Sequence, residues 1–311
     1  MNYLNEIVSR FPIRRKAEQK KAFRDWALEE IRRLGYNVKV EQNGAACHAN
    51  IVVGNPEKAP VLFTAHYDTP NVNLLPNLML PRNPVLFFLY VMLNVLILLG
   101  GSVAIMLAVG GLTGDPDLAR LAWIATYFGL LMVMNFANIP NKNNVNDNTS
   151  GISTLLTIMA QLPEEARKNA AFILFDNEEK GLAGSKAYTK DHQQVGYTRM
   201  TVNLDCVGVG ENILVLSQKL ARQHREFAPL QRHMEAITTH KVHFFNAAGS
   251  ISNSDWKNFK CGIAVMACKK AKVVGFYTPN IHTKRDTFAD ESNIEALANA
   301  LTAYIQELKV D

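Results

Sequence analysis

The chain has 311 residues, of which 48% are hydrophobic and 20% are charged. This composition excludes a wholly disordered chain, and the length allows one large domain or two ordinary ones. The formal net charge is +5, and part of the excess lies between Arg10 and Arg24, where seven basic residues meet only Glu18. We interpret this run as the solvated face of a helix, with attraction to anionic lipid headgroups as the alternative. Nothing in the sequence matches a nucleic-acid-binding motif, so we expect no nucleic acid partner.

The cysteines and the first residues bear on the compartment. The four cysteines, Cys47, Cys206, Cys261 and Cys268, form no CxxC pair, and residues 1–15 lack the apolar core of a signal peptide. We therefore expect reduced thiols in a cytosolic compartment.

Periodicity predicts an α/β protein. In chain order, an amphipathic helix at residues 17–36 precedes strands at 37–40, 50–53 and 60–64. Further strands are expected at 170–175, 200–204, 213–216, 262–266 and 272–276, with helices at 149–161, 180–190, 222–238 and 291–308. Strands that alternate with helices indicate a single domain with a mixed, mostly parallel central sheet flanked by helices.

A hydrophobic stretch interrupts this pattern. Residues 83–114 contain no charge, and after Asp115, Asp117 and Arg120 a second uncharged run covers residues 121–141. A helix needs about 20 apolar residues to cross a bilayer. We therefore predict a helical hairpin inserted at residues 74–141 into an α/β domain made of residues 1–73 and 142–311. We favour a hairpin that spans a membrane, and the alternative is that the hairpin forms a hydrophobic lid or an oligomer interface.

Three short motifs lie at or near strand ends in the first two thirds of the chain. The segment TAHYDTP follows an apolar strand, so His66 can bind a metal while Asp68 accepts a hydrogen bond from its other ring nitrogen. In VNDNTSGIS, Asp147 precedes a helix and could bridge two metals, although Asp, Asn, Thr and Ser are also ordinary N-cap residues. In FDNEEKG, Glu178 and Glu179 follow a buried strand, where ligand and catalytic groups of α/β sheets collect.

Two further motifs complete a metal-binding inventory. Asp205 ends the apolar strand in MTVNLDCVG, and His282 lies in the loop IHTKRDT. Cys206 could be a further soft ligand, but we do not favour this role, because the Cys206 side chain should point to the opposite face from Asp205 while the chain remains extended. Two histidines and three carboxylates form a donor set that suits Zn²⁺, with Mn²⁺ or Co²⁺ as substitutes in vitro.

Together, HYD, NDNTSG, NEEKGLAGS, NLD and IHTKRDT resemble the metal-site motifs of the co-catalytic zinc aminopeptidases, a family that includes glutamate carboxypeptidase and glutaminyl cyclase relatives. The resemblance implies two zinc ions per chain. One ion would be held by His66 and Asp205, the other by Glu179 and His282. Asp147 would bridge the two ions, Glu178 would be the general base, and Asp68 would orient His66.

The sequence departs from the family pattern at two points. His66 and Asp147 are 81 positions apart, much farther than in the family, and the hydrophobic stretch fills the difference. Some relatives place a tyrosine directly before the last histidine as a donor to the oxyanion, whereas this chain has Ile281; Tyr277 is a possible replacement.

These observations predict an enzyme that removes N-terminal amino acids from peptide substrates by two-metal hydrolysis. The alternatives are a metallo-carboxypeptidase, a dipeptidase, an amide deacylase, or a non-catalytic binding protein on the same fold. We expect membrane lipid to be a partner through residues 84–139, and an oligomer is possible. The expected location is the cytoplasmic face of the inner or plasma membrane, with a soluble cytoplasmic enzyme as the alternative.

Overall fold

The computed structural model describes residues 2–73, 78–136 and 139–309, without the side chains of residues 134–136. Its centre is one β-sheet with the strand order β1-β2-β4-β3-β5-β8-β6-β7, and β9 pairs with β8. The strands are β1 (Val38–Asn43), β2 (His48–Val53), β3 (Val61–His66), β4 (Ala170–Phe175), β5 (Met200–Leu204), β6 (Asn212–Ser217), β7 (Lys241–Asn246), β8 (Cys261–Ala271) and β9 (Gly275–Tyr277). The four central strands, β4, β3, β5 and β8, are parallel to one another.

Helices cover the sheet and form the inserted hairpin. They are α1 (Tyr3–Arg10), α2 (Ala17–Arg33), α3 (Pro84–Thr113), α4 (Pro116–Phe136), α5 (Gly151–Gln161), α6 (Ala183–Asp191), α7 (Gln193–Thr198), α8 (Lys219–Gln223), α9 (Phe227–Glu235) and α10 (Glu291–Glu307). The main hydrophobic core lies between one face of the sheet and helices α1, α2, α5, α9 and α10. A smaller core on the other face includes Phe175, Tyr188 and Phe259.

The predicted α/β fold with a mostly parallel central sheet is confirmed. The apolar runs that predicted strands correspond to β1 to β6 and β8, while the expected strand at 272–276 is reduced to β9 and the turn before it. The predicted helix at 222–238 is divided into α8 and α9 by residues 224–226. The strand β7 was not predicted, because its residues are partly exposed at the sheet edge and lack strict alternation.

The interpretation of the basic run as one solvated helix face is wrong. The run is divided between the end of α1, a connecting segment and α2. Arg14 is fully buried, and Lys20 is buried in an ion pair with Asp176, with 2.6 Å between Nζ and Oδ1. Both cations are thus tied to the domain interior, and Lys20 joins α2 to the end of β4.

The hydrophobic insertion forms two helices, α3 and α4, that pack against each other. Gly114 ends α3 with a left-handed backbone (φ 69°), and the Asp115 side chain accepts hydrogen bonds from the first turn of α4. Among the described side chains of both helices, only Ser102 and Ala119 are buried. Residues 74–77 and 137–138 of the predicted insertion lie outside the described residues, and the division of the chain at 74 and 141 stays a prediction.

Within the described residues, α3 is the one helix that is long and apolar enough to cross a membrane, judged by length and composition alone. At about 1.5 Å per residue its 30 residues extend roughly 45 Å, longer than the roughly 30 Å hydrocarbon layer of a bilayer. The shorter α4 begins with Pro116 and Asp117 and contains Arg120, which lowers its apolar content.

Candidate metal centre

The parallel strands bring the predicted ligands to one edge of the sheet. His66 is the last residue of β3, and its partner in the register is Phe175, the last residue of β4. Asp205 follows β5, and its backbone N–H donates to the carbonyl of Val265 on β8. Because parallel strands share their carboxyl ends, these residues and the Glu178–Glu179 turn after β4 meet in one cleft.

Asp147 lies between the two histidines. Its Oδ1 is 3.2 Å from His66 Nε2, and its Oδ2 is 2.9 Å from His282 Nε2. The residue is buried in an irregular segment before α5, where the Asp147–Asn148 peptide bond is cis. Each oxygen of one carboxylate thus faces a different imidazole, which is the arrangement expected of a carboxylate that bridges two cations.

The remaining predicted ligands surround this carboxylate. Asp205 Oδ1 lies 3.7 Å from His66 Nε2, and Glu179 Oε1 lies 3.4 Å from His282 Nε2. Ligand atoms of His66, Glu178 and Asp205 lie within 4.8 Å of one another, and so do those of His66, Asp147 and Glu179. The structure therefore brings together all five residues proposed as ligands, together with Glu178.

Two buried carboxylate oxygens without hydrogen-bond partners in the described part of the chain indicate whether this site fits a metal ion. Glu179 Oε1 and Asp205 Oδ1 are buried and have no hydrogen-bond partner among the described residues. A buried carboxylate oxygen without a partner is costly unless a cation compensates it. Imidazole nitrogens and carboxylate oxygens are the donors that zinc takes in proteins, so the residues fit a zinc centre.

The electrostatics show an excess of negative charge in the cleft. Burial alone would lower the pKa of His66, but the charge of Glu178 and the nearby carboxylates of Asp147 and Asp205 raise this pKa well above its ordinary value. Burial raises the pKa of Glu178 well above its ordinary value, and the neighbouring carboxylates Glu179 and Asp205 reinforce the shift, although His66 opposes it. The carboxylates thus concentrate negative charge in the cleft, which divalent cations would neutralise.

The Asp68 carboxylate accepts hydrogen bonds from backbone amides and not, as the sequence predicted, from the second ring nitrogen of His66. Its carboxylate Oδ1 is 3.6 Å from His66 Nδ1, which is beyond hydrogen-bond length, and the Asp68 backbone carbonyl lies closer, at 3.2 Å. The carboxylate instead accepts hydrogen bonds from the backbone N–H groups of Glu178 (2.9 Å) and Glu179 (3.2 Å). The turn geometry at the end of β4 draws the carboxylate to these amides, so Asp68 positions the glutamates more directly than the histidine.

The prediction that the Cys206 side chain points away from Asp205 is also wrong. Strand β5 ends at Leu204, and Cys206 has a left-handed backbone (φ 56°), so the alternation of an extended chain no longer holds. Ligand atoms of Cys206, Asp147 and Asp205 lie within 4.8 Å of one another. Burial and the charges of Asp147 and Asp205 raise the pKa of the Cys206 thiol well above its ordinary value, which favours the neutral thiol.

Two buried aspartates of the site had no assigned role in the sequence. Asp286 accepts hydrogen bonds from the backbone N–H groups of Asn146 (2.9 Å) and Asp147 (3.0 Å) and so fixes the segment that carries the bridging candidate. Asp255 is fully buried, and Ser185 donates a hydrogen bond to its Oδ1. Burial raises the pKa of each carboxyl to about 7. The available signal for Asp286 was its place in the motif IHTKRDT, and Asp255 lies in the segment SNSDWKNF at residues 252–259, where it begins a short helical turn.

A cavity of about 280 Å³ opens onto the cluster. Its acidic wall includes Glu178, Glu179 and Asp205, and its apolar wall consists of Met79, Leu182, Met266 and Ile281. Thr278 lines the cavity, whereas Tyr277, the suggested oxyanion donor, is not among its lining residues. Among the described residues that line this cavity there is no lysine or arginine.

The fold and site define an α/β protein with a candidate metal centre at the carboxyl edge of its parallel strands. The model of Peptidase family M28 matches residues 135–305, more than half of the chain. The chain therefore belongs to Peptidase family M28, and this membership indicates a peptidase, which is a hydrolase. A comparison with curated proteins gives no match.

Solved structures share the fold at low sequence identity. A Zn-dependent exopeptidase from Parabacteroides distasonis is 17% identical with a TM-score of 0.61, and the match covers 98% of this chain and 96% of that one. A glutaminyl cyclase from Porphyromonas gingivalis is 15% identical with a TM-score of 0.59 over 98% and 96%. A leucine aminopeptidase precursor from Bacteroides thetaiotaomicron is 14% identical with a TM-score of 0.58 over 99% and 95%.

Proposed function

We propose that this chain is a zinc-dependent aminopeptidase that removes N-terminal residues from peptides with two zinc ions. The observation that carries this proposal is the position of Asp147, whose two oxygens face His66 Nε2 and His282 Nε2 at 3.2 and 2.9 Å. His66 and Asp205 would hold one ion, and Glu179 and His282 the other. The Zn-dependent exopeptidase with the same fold supports the choice of metal.

Zinc would supply Lewis acidity and favour a hydroxide nucleophile at neutral pH. Glu178 lines the cavity beside His66 and Asp205, so its carboxylate would accept a proton from the nucleophilic water and return it to the leaving amine. Asp68 fixes the backbone of Glu178 through the 2.9 Å hydrogen bond, which limits the movement of this base.

The charge of the cavity favours removal of residues from the amino end. A free ammonium group is attracted by Glu178, Glu179 and Asp205. A carboxypeptidase would need a permanent cation for the substrate carboxylate, and no lysine or arginine is present among the described lining residues. The apolar wall of Met79, Leu182, Met266 and Ile281 would take an apolar N-terminal side chain.

A substrate panel tests this proposal. We expect the purified enzyme to hydrolyse leucyl and methionyl arylamides faster than lysyl or glutamyl ones, and not to hydrolyse the amino-blocked forms. The panel also contains carboxyl-blocked peptides, N-acyl amino acids and peptides with N-terminal glutamine, since glutaminyl cyclases share the fold. Equal cleavage of amino-blocked and free substrates would overturn the aminopeptidase assignment, and cyclisation of glutamine as the main reaction would replace it.

We also propose that the α3–α4 hairpin holds the catalytic domain on the cytoplasmic face of a membrane. Phe88, Leu107 and Leu121, which lie at different heights of the hairpin, are each more than 60% exposed in the monomer. Exposed apolar side chains along the whole length of two helices match a lipid environment. The hairpin packs closely where Gly110 faces Ala119, because small residues let helix backbones approach.

Cell fractionation tests the anchor. We expect the full-length chain in the membrane fraction, released by detergent and not by high salt, and a variant with residues 84–139 replaced by a short polar linker in the soluble fraction. The linker variant should keep activity on a soluble arylamide. Recovery of the full-length chain as a soluble species without detergent would contradict the membrane anchor, and the lid or oligomer-interface alternative would then replace it.

A further inference from the structure

Two loops of the catalytic domain lie against the base of the α3–α4 hairpin. The Asn83 side chain, which begins α3, donates a hydrogen bond to the carbonyl of Val274 in the turn between β8 and β9 (3.3 Å). On the other side, the Asn143 side chain donates to the carbonyl of Lys284 (2.6 Å). The turn at 271–275 and the loop at 279–285 are thereby fixed at the level where the hairpin leaves the domain.

These loops carry a concentration of positive charge. Between Asp255 and Asp286 the sequence contains seven basic residues and no acidic one. Five of these seven are exposed and lie on the two loops or on the end of β8 that leads into them. Together with two cations at the base of the hairpin they form a group that we call the basic collar. Its members are Arg82, Lys142, Lys269, Lys270, Lys272, Lys284 and Arg285. Within the part of the chain that the structure describes, none of them forms an ion pair with a carboxylate.

An apolar side chain stands at the tip of the collar. Val273 follows Lys272 in the β8–β9 turn and is 86% exposed. The turn joins two paired strands, since β8 and β9 pair on either side of it, with Lys270 opposite Phe276. The opposite end of the hairpin, at Asp115, Asp117 and Arg120, carries a net negative charge instead.

We propose that the β8–β9 turn is a second membrane contact, in which the collar lysines bind anionic phospholipid headgroups and Val273 enters the interfacial layer. This inference rests on the proposed membrane anchor. Lysines beside an exposed apolar residue, at the base of an apolar hairpin, match the headgroup and acyl layers of one leaflet. The contact would fix the tilt of the catalytic domain relative to the bilayer. Because Thr278 directly follows β9 and lines the cavity, the same contact would also set the direction in which the cavity opens.

A fluorophore at position 273 tests the contact. Cys47 is the exposed cysteine and the other three are buried, so Val273→Cys in a Cys47→Ser background can be labelled selectively with an environment-sensitive dye. The full-length protein is reconstituted in nanodiscs of phosphatidylcholine, with or without phosphatidylglycerol. We expect a blue-shifted emission that grows with the phosphatidylglycerol fraction and decreases with salt. Label at Leu220→Cys, on α8 beside the opposite end of β8, should show no shift.

Charge variants test whether the lysines beside Val273 cause the emission shift. The triple change Lys269→Gln, Lys270→Gln and Lys272→Gln should abolish the shift, since each lysine near an anionic surface contributes about fivefold to binding. The control triple Lys186→Gln, Lys190→Gln and Lys260→Gln removes three exposed lysines elsewhere and should leave the shift intact. Both triples should keep peptidase activity on a soluble substrate.

The outcomes separate this inference from the anchor. Incorporation of the chain into nanodiscs with no shift at position 273 would overturn the lipid contact and leave the anchor in place. A shift of equal size in both lipids would overturn the role of the lysines. Failure of the full-length chain to enter nanodiscs, with recovery in the soluble fraction, would overturn the anchor and this contact together.

Discussion

Glu178 and Glu179 are adjacent in sequence but have different neighbours. Glu178 groups with His66 and Asp205, whereas Glu179 lies near His282 and groups with His66 and Asp147. Asp68 binds the backbone of both residues, which keeps the two side chains apart within one short turn. This geometry supports a division of labour between a proton-transfer group and a metal ligand.

We predict that Glu178→Gln keeps its zinc but loses turnover by about 10²–10⁴-fold, because an amide keeps the shape but cannot accept the proton. The measurement is kcat on an aminoacyl arylamide together with zinc content by elemental analysis. Near-normal kcat at unchanged zinc content would show that another group is the base.

A second prediction compares Asp147 with Asp68. Asp147→Ala should lose zinc from both sites, because its oxygens face both imidazoles. Asp68→Ala should keep most of its zinc and lower activity by about 10–100-fold, because it holds the glutamate turn and not a metal. Zinc content after dialysis gives the readout. A fully loaded Asp147→Ala protein would contradict the bridging role and the two-metal proposal.

The helix α2 and the segment before it are attached to the site by buried cations. Arg14 donates hydrogen bonds to the carbonyls of Phe11 (2.8 Å) and Tyr67 (2.5 Å) and to the Thr149 hydroxyl (3.1 Å). Tyr67 follows His66 and Thr149 lies two residues after Asp147, so one guanidinium connects the two segments that carry these proposed ligands. Burial lowers the pKa of Arg14 to about 9, against the raising effect of Asp68 and Asp147, and the group stays charged at neutral pH.

We predict that Arg14→Met destabilises the protein by about 2–4 kcal/mol, because it leaves buried carbonyls without a donor. Thermal unfolding should show a fall in Tm of roughly 2–4 °C per kcal/mol. The control is Arg32→Met on the exposed face of α2, which should change the free energy of unfolding by less than about 0.5 kcal/mol. Equal melting temperatures for the two variants would contradict a structural role of the buried guanidinium.

At the scale of the whole molecule, binding of the proposed zinc ions would be coupled to folding through the cleft. Strands β3, β4 and β5 each contribute part of the cluster, and Asp147 and His282 join it from distant loops. A ligand that binds only the folded state stabilises it by mass action. Zinc should therefore stabilise the whole domain and not only a local loop.

We predict that chelation lowers both activity and Tm, and that added zinc restores both. At a free zinc concentration about 1,000 times Kd, the gain is about 4 kcal/mol. Differential scanning calorimetry of the purified protein with and without zinc measures it, and Asp147→Ala is the matched variant that should respond weakly. A zinc-independent Tm in the unmodified protein would contradict a zinc centre built from these residues.

The sequence by itself determined the α/β class, most strands, and the residues that converge on the cleft. Buried strands leave continuous apolar runs, and residues at or directly after their ends, such as His66 and Asp205, lie at one sheet edge. Asp147 and His282 lie in loops, and only their combination with the other motifs pointed to the cleft. The charge-free runs at 83–114 and 121–141 likewise predicted the hairpin, because composition and length suffice for that inference.

Only the tertiary structure decided the contacts between segments far apart in the chain. The bond of Asp286 to Asp147 spans 139 positions, and that of Arg14 to Thr149 spans 135, so no local pattern could reveal them. The position of Cys206 depended on one left-handed backbone angle. The basic collar likewise exists only because folding brings residues 269–285 to the base of a hairpin that begins at residue 84. Such contacts follow from the register and packing of the sheet, which local sequence patterns do not encode.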